Sequence, residues 1–170
     1  MEQKVILFDL DGTLTDSGEG IINCVVFALE HFGLPIPPKA ELRSVVGPPL
    51  HDSLARYGVP KQKLDEGVTV FRSRYNPIGI YENVPYPGIR EALEELKQSG
   101  YKLCVATSKP ELFAKQIFDH FDMTKYFSFI GGADMEETRA TKDAVIRYVL
   151  GNIGNPAPDK CLMIGDREYD

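Results

Sequence analysis

Asp9 and Asp11 stand two residues apart, directly after the apolar run Val5–Phe8, and Gly12 and Thr13 follow them. Residues two apart on a strand point the same way, so both carboxylates can address one spot from a strand tip. Gly12 lets the backbone turn sharply and come close to a ligand. A carboxylate held in line with a phosphoryl group can attack it, because aspartate serves as a covalent acceptor in phosphoryl transfer. A second apolar run, Tyr101–Ala106, ends in Thr107-Ser108-Lys109, and a fourth, Cys161–Ile164, ends in Gly165-Asp166 with Asp170 shortly after. Behind the third run, Phe127–Ile130, a loop leads to Lys142. Clustered carboxylates repel one another unless a hard cation lies among them. Oxygen-only donors suit Mg²⁺, which shares its sites with phosphate, and a lysine with helix N-terminal amides completes a seat for a dianion.

These residues reach one place only if the four runs are neighbouring strands. Each run is short and continuously apolar, as expected of a parallel strand covered on both faces. Helical patterns separate the last three, at Ile89–Ser99, Glu111–Phe121 and Thr141–Leu150. Strand and helix alternating through short links predict a doubly wound, Rossmann-like α/β fold with a parallel sheet, whose ligands bind beyond the carboxyl ends of its strands. The stretch between the first and second strands is too long for an ordinary crossover. It carries amphipathic patterns at Gly20–Phe32, Leu42–Val46, Leu50–Tyr57 and Leu64–Tyr75. We therefore expect an α/β core of residues 1–15 and 84–170 with an inserted α-helical cap, residues 16–83.

The 170 residues are enough for one good core, and 43% hydrophobic with 26% charged residues is ordinary for a globular chain. A net charge of −6 without a basic stripe argues against a nucleic acid polymer as partner. No apolar run is long enough to span a bilayer, so no membrane partner is expected. Cys24, Cys104 and Cys161 are odd in number and far apart, which predicts buried free thiols and a cytoplasmic location. His31, His51 and His120 read as helix-surface or packing residues, and Arg72 and Arg74 as solvated cap residues.

The segment Asp9-Leu10-Asp11-Gly12-Thr13 resembles the first motif of the haloacid dehalogenase superfamily, the aspartate-nucleophile phosphatases. Thr107 matches the second motif, Lys142 the third, and Gly165-Asp166 through Asp170 the fourth, so the resemblance covers essentially the whole chain. Gly47-Pro48-Pro49-Leu50, Ile80-Tyr81-Glu82-Asn83, Ala106 to Pro110 and Thr138-Arg139 with Lys142 look most like the branch of phosphoglycolate phosphatases and 5′-nucleotidases. The resemblance implies Asp9 as nucleophile and Asp11 as the acid that protonates the leaving alkoxide and then activates water. It implies that Thr107 and Lys142 hold the phosphoryl oxygens. Mg²⁺ would be bound by Asp9, the main-chain carbonyl of Asp11, Asp166 and, through water, Asp170. Further candidates for substrate binding are Gly12, Thr13, Ser108 and Lys109 in the core and Gly47 and Pro48 in a lid loop of the cap. The family continues beyond the point where this sequence ends at Asp170, so the C-terminal part of the core is expected to be missing.

The leading expectation is a Mg²⁺-dependent phosphomonoesterase, monomer or homodimer, acting on a small-molecule phosphate ester such as 2-phosphoglycolate or a nucleoside 5′-monophosphate. Two alternatives stand beside it. A β-phosphoglucomutase-like sugar phosphomutase would return the phosphoryl group to its substrate. A receiver-like module would keep it as a persistent phosphoaspartate, but would have no need of Asp11 or of a cap.

Overall fold

Four consecutive buried residues, Val5–Phe8, form β1, which pairs in parallel with a strand on either side. A strand so placed shows solvent neither edge nor face, which is why it reads as an unbroken apolar run. The computed structural model describes residues 4–135, 138–139 and 141–168. After β1 come the two-residue strands β2 (Thr15–Asp16) and β3 (Val84–Pro85), then β4 (Lys102–Pro110), β5 (Phe129–Ala133) and β6 (Cys161–Ile164). The main sheet has the order β5-β4-β1-β6, with every neighbour parallel. Strand order therefore reverses at β1, and that switch point is where an open α/β sheet leaves a crevice. The fold is the doubly wound α/β architecture expected from the strand and helix pattern.

The chain divides into two compact units, one of Met1–Thr15 with Pro85–Asp170 and the other of Asp16–Val84. In the first, helices α5 (Ile89–Gln98), α6 (Glu111–His120) and α7 (Lys142–Asn152) connect the strands. Val5 and Leu7 pack with Cys104 and Ala106 against Val145 and Val149 of α7. The alternate residue Phe8 turns to the other face, where its ring meets Phe127, which in turn packs on Phe118 of α6. Both faces of β1 are thus covered, whereas Leu162 of β6 is exposed.

Local chemistry moves some boundaries. β4 continues past Ala106 to Pro110, because the chain stays extended through an irregularity and pairs Pro110 with Ala133. β5 starts at Phe129, since a 3₁₀ turn over Thr124–Tyr126 holds the Phe127 N–H on the Thr124 carbonyl. α7 runs two residues beyond Leu150, as a single Gly151 in a helix costs less than the remaining turn contributes.

The second unit contains α1 (Gly18–His31), α2 (Lys39–Leu42), α3 (Leu50–Arg56) and α4 (Leu64–Tyr75), with 3₁₀ turns at Arg43–Val45, Lys61–Lys63 and Gly79–Tyr81. Its core holds Ile22, Val25 and Leu29 of α1, Leu54 of α3 and Phe71 of α4, whose ring stacks on Tyr75. Arg74 is not the solvated residue expected. Its guanidinium grips Glu82 through two bonds, 2.7 and 2.9 Å, and donates to Cys24 Sγ at 3.3 Å. Asn23 adds a bond to the same carboxylate. Glu82 is consequently held below the usual carboxylate range, chiefly by the Arg74 hydrogen bonds. His31 and His51 lie on the surface of this unit against Glu66 and Asp65. The expectation for the thiols needs one correction: Cys24 and Cys104 are buried, but Cys161, on edge strand β6, is only half-buried. Among the described residues no helix is long and apolar enough to cross a membrane.

Candidate active site

Asp9 is the first residue beyond β1, and its N–H still bonds the Ile164 carbonyl of β6 at 2.9 Å, which fixes the root of its side chain. Lys142 opens α7, whose N-cap Thr141 accepts a bond from the Ala144 N–H at 3.2 Å. The Lys142 ammonium reaches 3.0 Å from Asp9 Oδ1 and donates to the Ala106 carbonyl at 3.2 Å. Asp9, Thr107 and Lys142 are all buried. The Thr107 hydroxyl and the Leu10 N–H favour the ionised form of the Asp9 carboxyl. Burial outweighs these partners and holds the Asp9 carboxyl above its ordinary range, while the Lys142 charge pulls it back. The outcome is a desolvated carboxylate with a fixed cation and a fixed hydroxyl beside it, as a nucleophile toward a dianion requires.

Asp11 is reached from β4. The Lys109 ammonium lies 2.8 Å from Asp11 Oδ2, and the Lys109 N–H donates to Thr107 Oγ1 at 3.2 Å. Asp11 Oδ1 and Thr13 Oγ1 are buried and have no hydrogen-bond partner among the described residues. At Gly12, φ is +87°, and an added Cβ would stand 2.6 Å from Asp166 Oδ2. Only glycine both adopts this turn and admits the carboxylate that follows β6. Asp166 also faces Arg167 Nε at 3.2 Å. Ser108 is half-buried beside Thr107 on β4.

One unit thus brings together Asp9, Asp11, Gly12, Thr13, Thr107, Ser108, Lys109, Lys142 and Asp166. Gly47, with φ +103°, and Pro48 belong to the helical unit, between the Arg43–Val45 turn and α3. Asp170 lies outside the described residues. No three metal-ligating side chains converge on one point among the described residues. The donor chemistry nevertheless fits a hard cation: the groups are all oxygen, and the Gly12 cradle admits the Asp166 carboxylate.

Sequence reasoning did not find Arg139 as a support. Its Nε donates to the Gly132 carbonyl at 2.8 Å, and its guanidinium lies 3.6 Å from the centre of the Tyr148 ring on α7. Its N–H and the Thr138 hydroxyl both bond Asp134. At Gly132 an added Cβ would come within 2.4 Å of the Lys109 carbonyl, so the ends of β4 and β5 touch through backbone. The signal in the sequence was a Gly-Gly pair in a strand, which often marks such an approach.

The core is thus a parallel α/β sheet with an aspartate pair at its switch point, flanked by a buried lysine and a buried threonine. The sequence model described as haloacid dehalogenase-like hydrolase matches residues 6–170, and the chain belongs to that family. It is 45% identical over 166 residues to a 5′-nucleotidase of Pseudomonas aeruginosa, covering 97% of this chain and 75% of that protein. It is 36% identical to the tyrosine-protein kinase PtkA of Mycobacterium tuberculosis, covering 98% of this chain but only 57% of PtkA. A phosphoglycolate phosphatase of Aquifex aeolicus is 34% identical, with 98% of this chain and 78% of that protein covered. In structure the chain resembles a predicted phosphatase from Clostridium acetobutylicum with a TM-score of 0.91 and 40% identity, covering 99% of this chain and 79% of that one.

Proposed function

We propose that the protein is a phosphomonoesterase that hydrolyses a small phosphorylated metabolite of the 2-phosphoglycolate or nucleoside 5′-monophosphate class through an aspartyl-phosphate at Asp9. The observation that carries this reading is the buried Asp9 carboxylate, paired with Lys142 at 3.0 Å, with Thr107 buried in the same unit. Asp9 attacks the phosphorus, while Lys142 and the Thr107 hydroxyl hold the phosphoryl oxygens and offset their charge. Asp11 gives a proton to the departing alkoxide and then takes one from the water that cleaves the aspartyl-phosphate. Burial of Asp9 strips it of hydration and strengthens each of these contacts. Asp9, the Asp11 carbonyl and Asp166, with Asp170 through water, are the groups that would hold Mg²⁺. When bound it would neutralise charge on the transferring phosphoryl group.

The experiment is phosphate release from 2-phosphoglycolate, nucleoside 5′-monophosphates and sugar phosphates, each with Mg²⁺ and with EDTA. Release from one class, abolished by EDTA and restored by Mg²⁺, supports the reading. Phosphoryl transfer from ATP to a tyrosine, the activity in the name of PtkA, would replace it. So would conversion of a hexose 1-phosphate to the 6-phosphate without net release, or a stable phosphoaspartate without turnover.

A further inference from the structure

We infer that Lys109 is a positioning residue that aims one oxygen of Asp11 at the leaving group. The inference rests on the phosphomonoesterase reading above and assigns Lys109 a task other than binding substrate. Its ammonium holds Asp11 Oδ2 at 2.8 Å, with the Lys109 side chain 7% exposed and that of Asp11 13% exposed. Its N–H donates to Thr107 Oγ1 at 3.2 Å. A single residue at the end of β4 therefore holds Asp11 through its side chain and Thr107 through its backbone.

The consequence for Asp11 is an asymmetry between its two oxygens. Oδ2 is occupied by the lysine, whereas Oδ1 is buried and has no hydrogen-bond partner among the described residues. A buried carboxylate oxygen left unsatisfied is costly in a folded protein. Such an atom is suited to meet a group that arrives with the substrate: the bridging oxygen of the ester first, and the attacking water afterwards. Holding Oδ2 fixes the rotation of the carboxyl group, so that Oδ1 keeps its aim between the two steps. The approach of Gly132 to the Lys109 carbonyl, and the Arg139 bond to Gly132, hold the backbone of this segment from the β5 side.

The test separates proton delivery from general damage. In kcat/KM only steps up to departure of the leaving group count. An alkoxide leaving from a nucleoside 5′-monophosphate needs the proton from Asp11, but p-nitrophenolate does not. Lys109→Met should lower kcat/KM for the nucleoside monophosphate by roughly 10²-fold, the cost of misplacing a catalytic group by about 1 Å. For p-nitrophenyl phosphate the loss should stay within about 3-fold, and Lys109→Arg should recover most of the alkyl phosphate activity. Equal losses on the two esters, with the wild type active on both, would overturn the assignment and leave the phosphomonoesterase reading standing. So would a loss confined to KM, as expected of a substrate-binding lysine. A wild type that releases phosphate from neither p-nitrophenyl phosphate nor any of the alkyl phosphates screened above would overturn both readings together.

Discussion

The Lys142 ammonium lies 3.0 Å from Asp9 Oδ1, and both side chains are at least nine-tenths removed from solvent. They come from opposite ends of the sequence, β1 and α7, and meet because α7 packs across the face of the sheet formed by Leu7, Cys104 and Ala106. Removing one partner of a buried pair leaves the other uncompensated. Lys142→Met should therefore destabilise the fold by about 3 kcal/mol in urea unfolding at pH 7. The double variant Asp9→Asn, Lys142→Met should recover part of that loss, giving a favourable coupling in the cycle.

Asp9→Asn keeps the shape of the side chain but removes the nucleophile of the proposed reaction. Phosphate release should fall to background while the circular dichroism spectrum stays that of the wild type. Acid-quenched samples should show a phosphorylated protein for the wild type only.

Asp11→Asn should lower turnover of an alkyl phosphate by roughly 10²–10⁴-fold, the usual worth of a general acid–base. Lys109 then has a neutral amide to face, so melting temperature should be measured beside activity. A rate loss without a comparable loss of stability identifies proton transfer as the missing step.

The helical unit carries its own dependence on pH. Arg74 holds the Glu82 carboxyl below its ordinary range in the folded state. A group with a depressed folded pKa contributes stability above its unfolded value and loses it as pH falls through the folded value. Wild type should exceed Glu82→Gln in stability at pH 7; the gap should begin to narrow near about pH 4, where an unfolded carboxyl takes up its proton, and close only below the depressed folded value. Urea midpoints recorded from pH 7 to pH 3 would show it.

Thr141 caps α7 through the Ala144 N–H, one residue before Lys142. Thr141→Ala should cost about 1 kcal/mol in denaturant unfolding. Because the cap sets the first turn that carries Lys142, kcat should fall as well, whereas Thr141→Ser should restore both.

Much of the architecture was readable from the chain alone, since it depends on patterns local in sequence. Val5–Phe8 is apolar throughout because both faces of the sheet bury it, and Cys161–Ile164 is a strand although Leu162 is exposed; both strands have the bounds expected. Leu64–Tyr75 has helical spacing and is a helix over those residues. β4 was longer than its apolar run, because Thr107–Pro110 are held extended by pairing with another strand rather than by their own hydrophobicity. The candidate carboxylates, threonine and lysines could likewise be singled out from residue type and strand-end position.

What each of those side chains touches was decided by the tertiary structure. Nothing in the types of Lys109 and Lys142 says that one takes Asp11 and the other Asp9, or that Arg74 closes on Glu82. Such partnerships join residues up to 133 positions apart, and they exist only once strand order and helix packing bring the side chains within reach. Sequence determines which groups can do chemistry and which segment ends carry them. Packing alone determines distance and burial, and these set whether a carboxylate acts as a solvated acid or as a nucleophile.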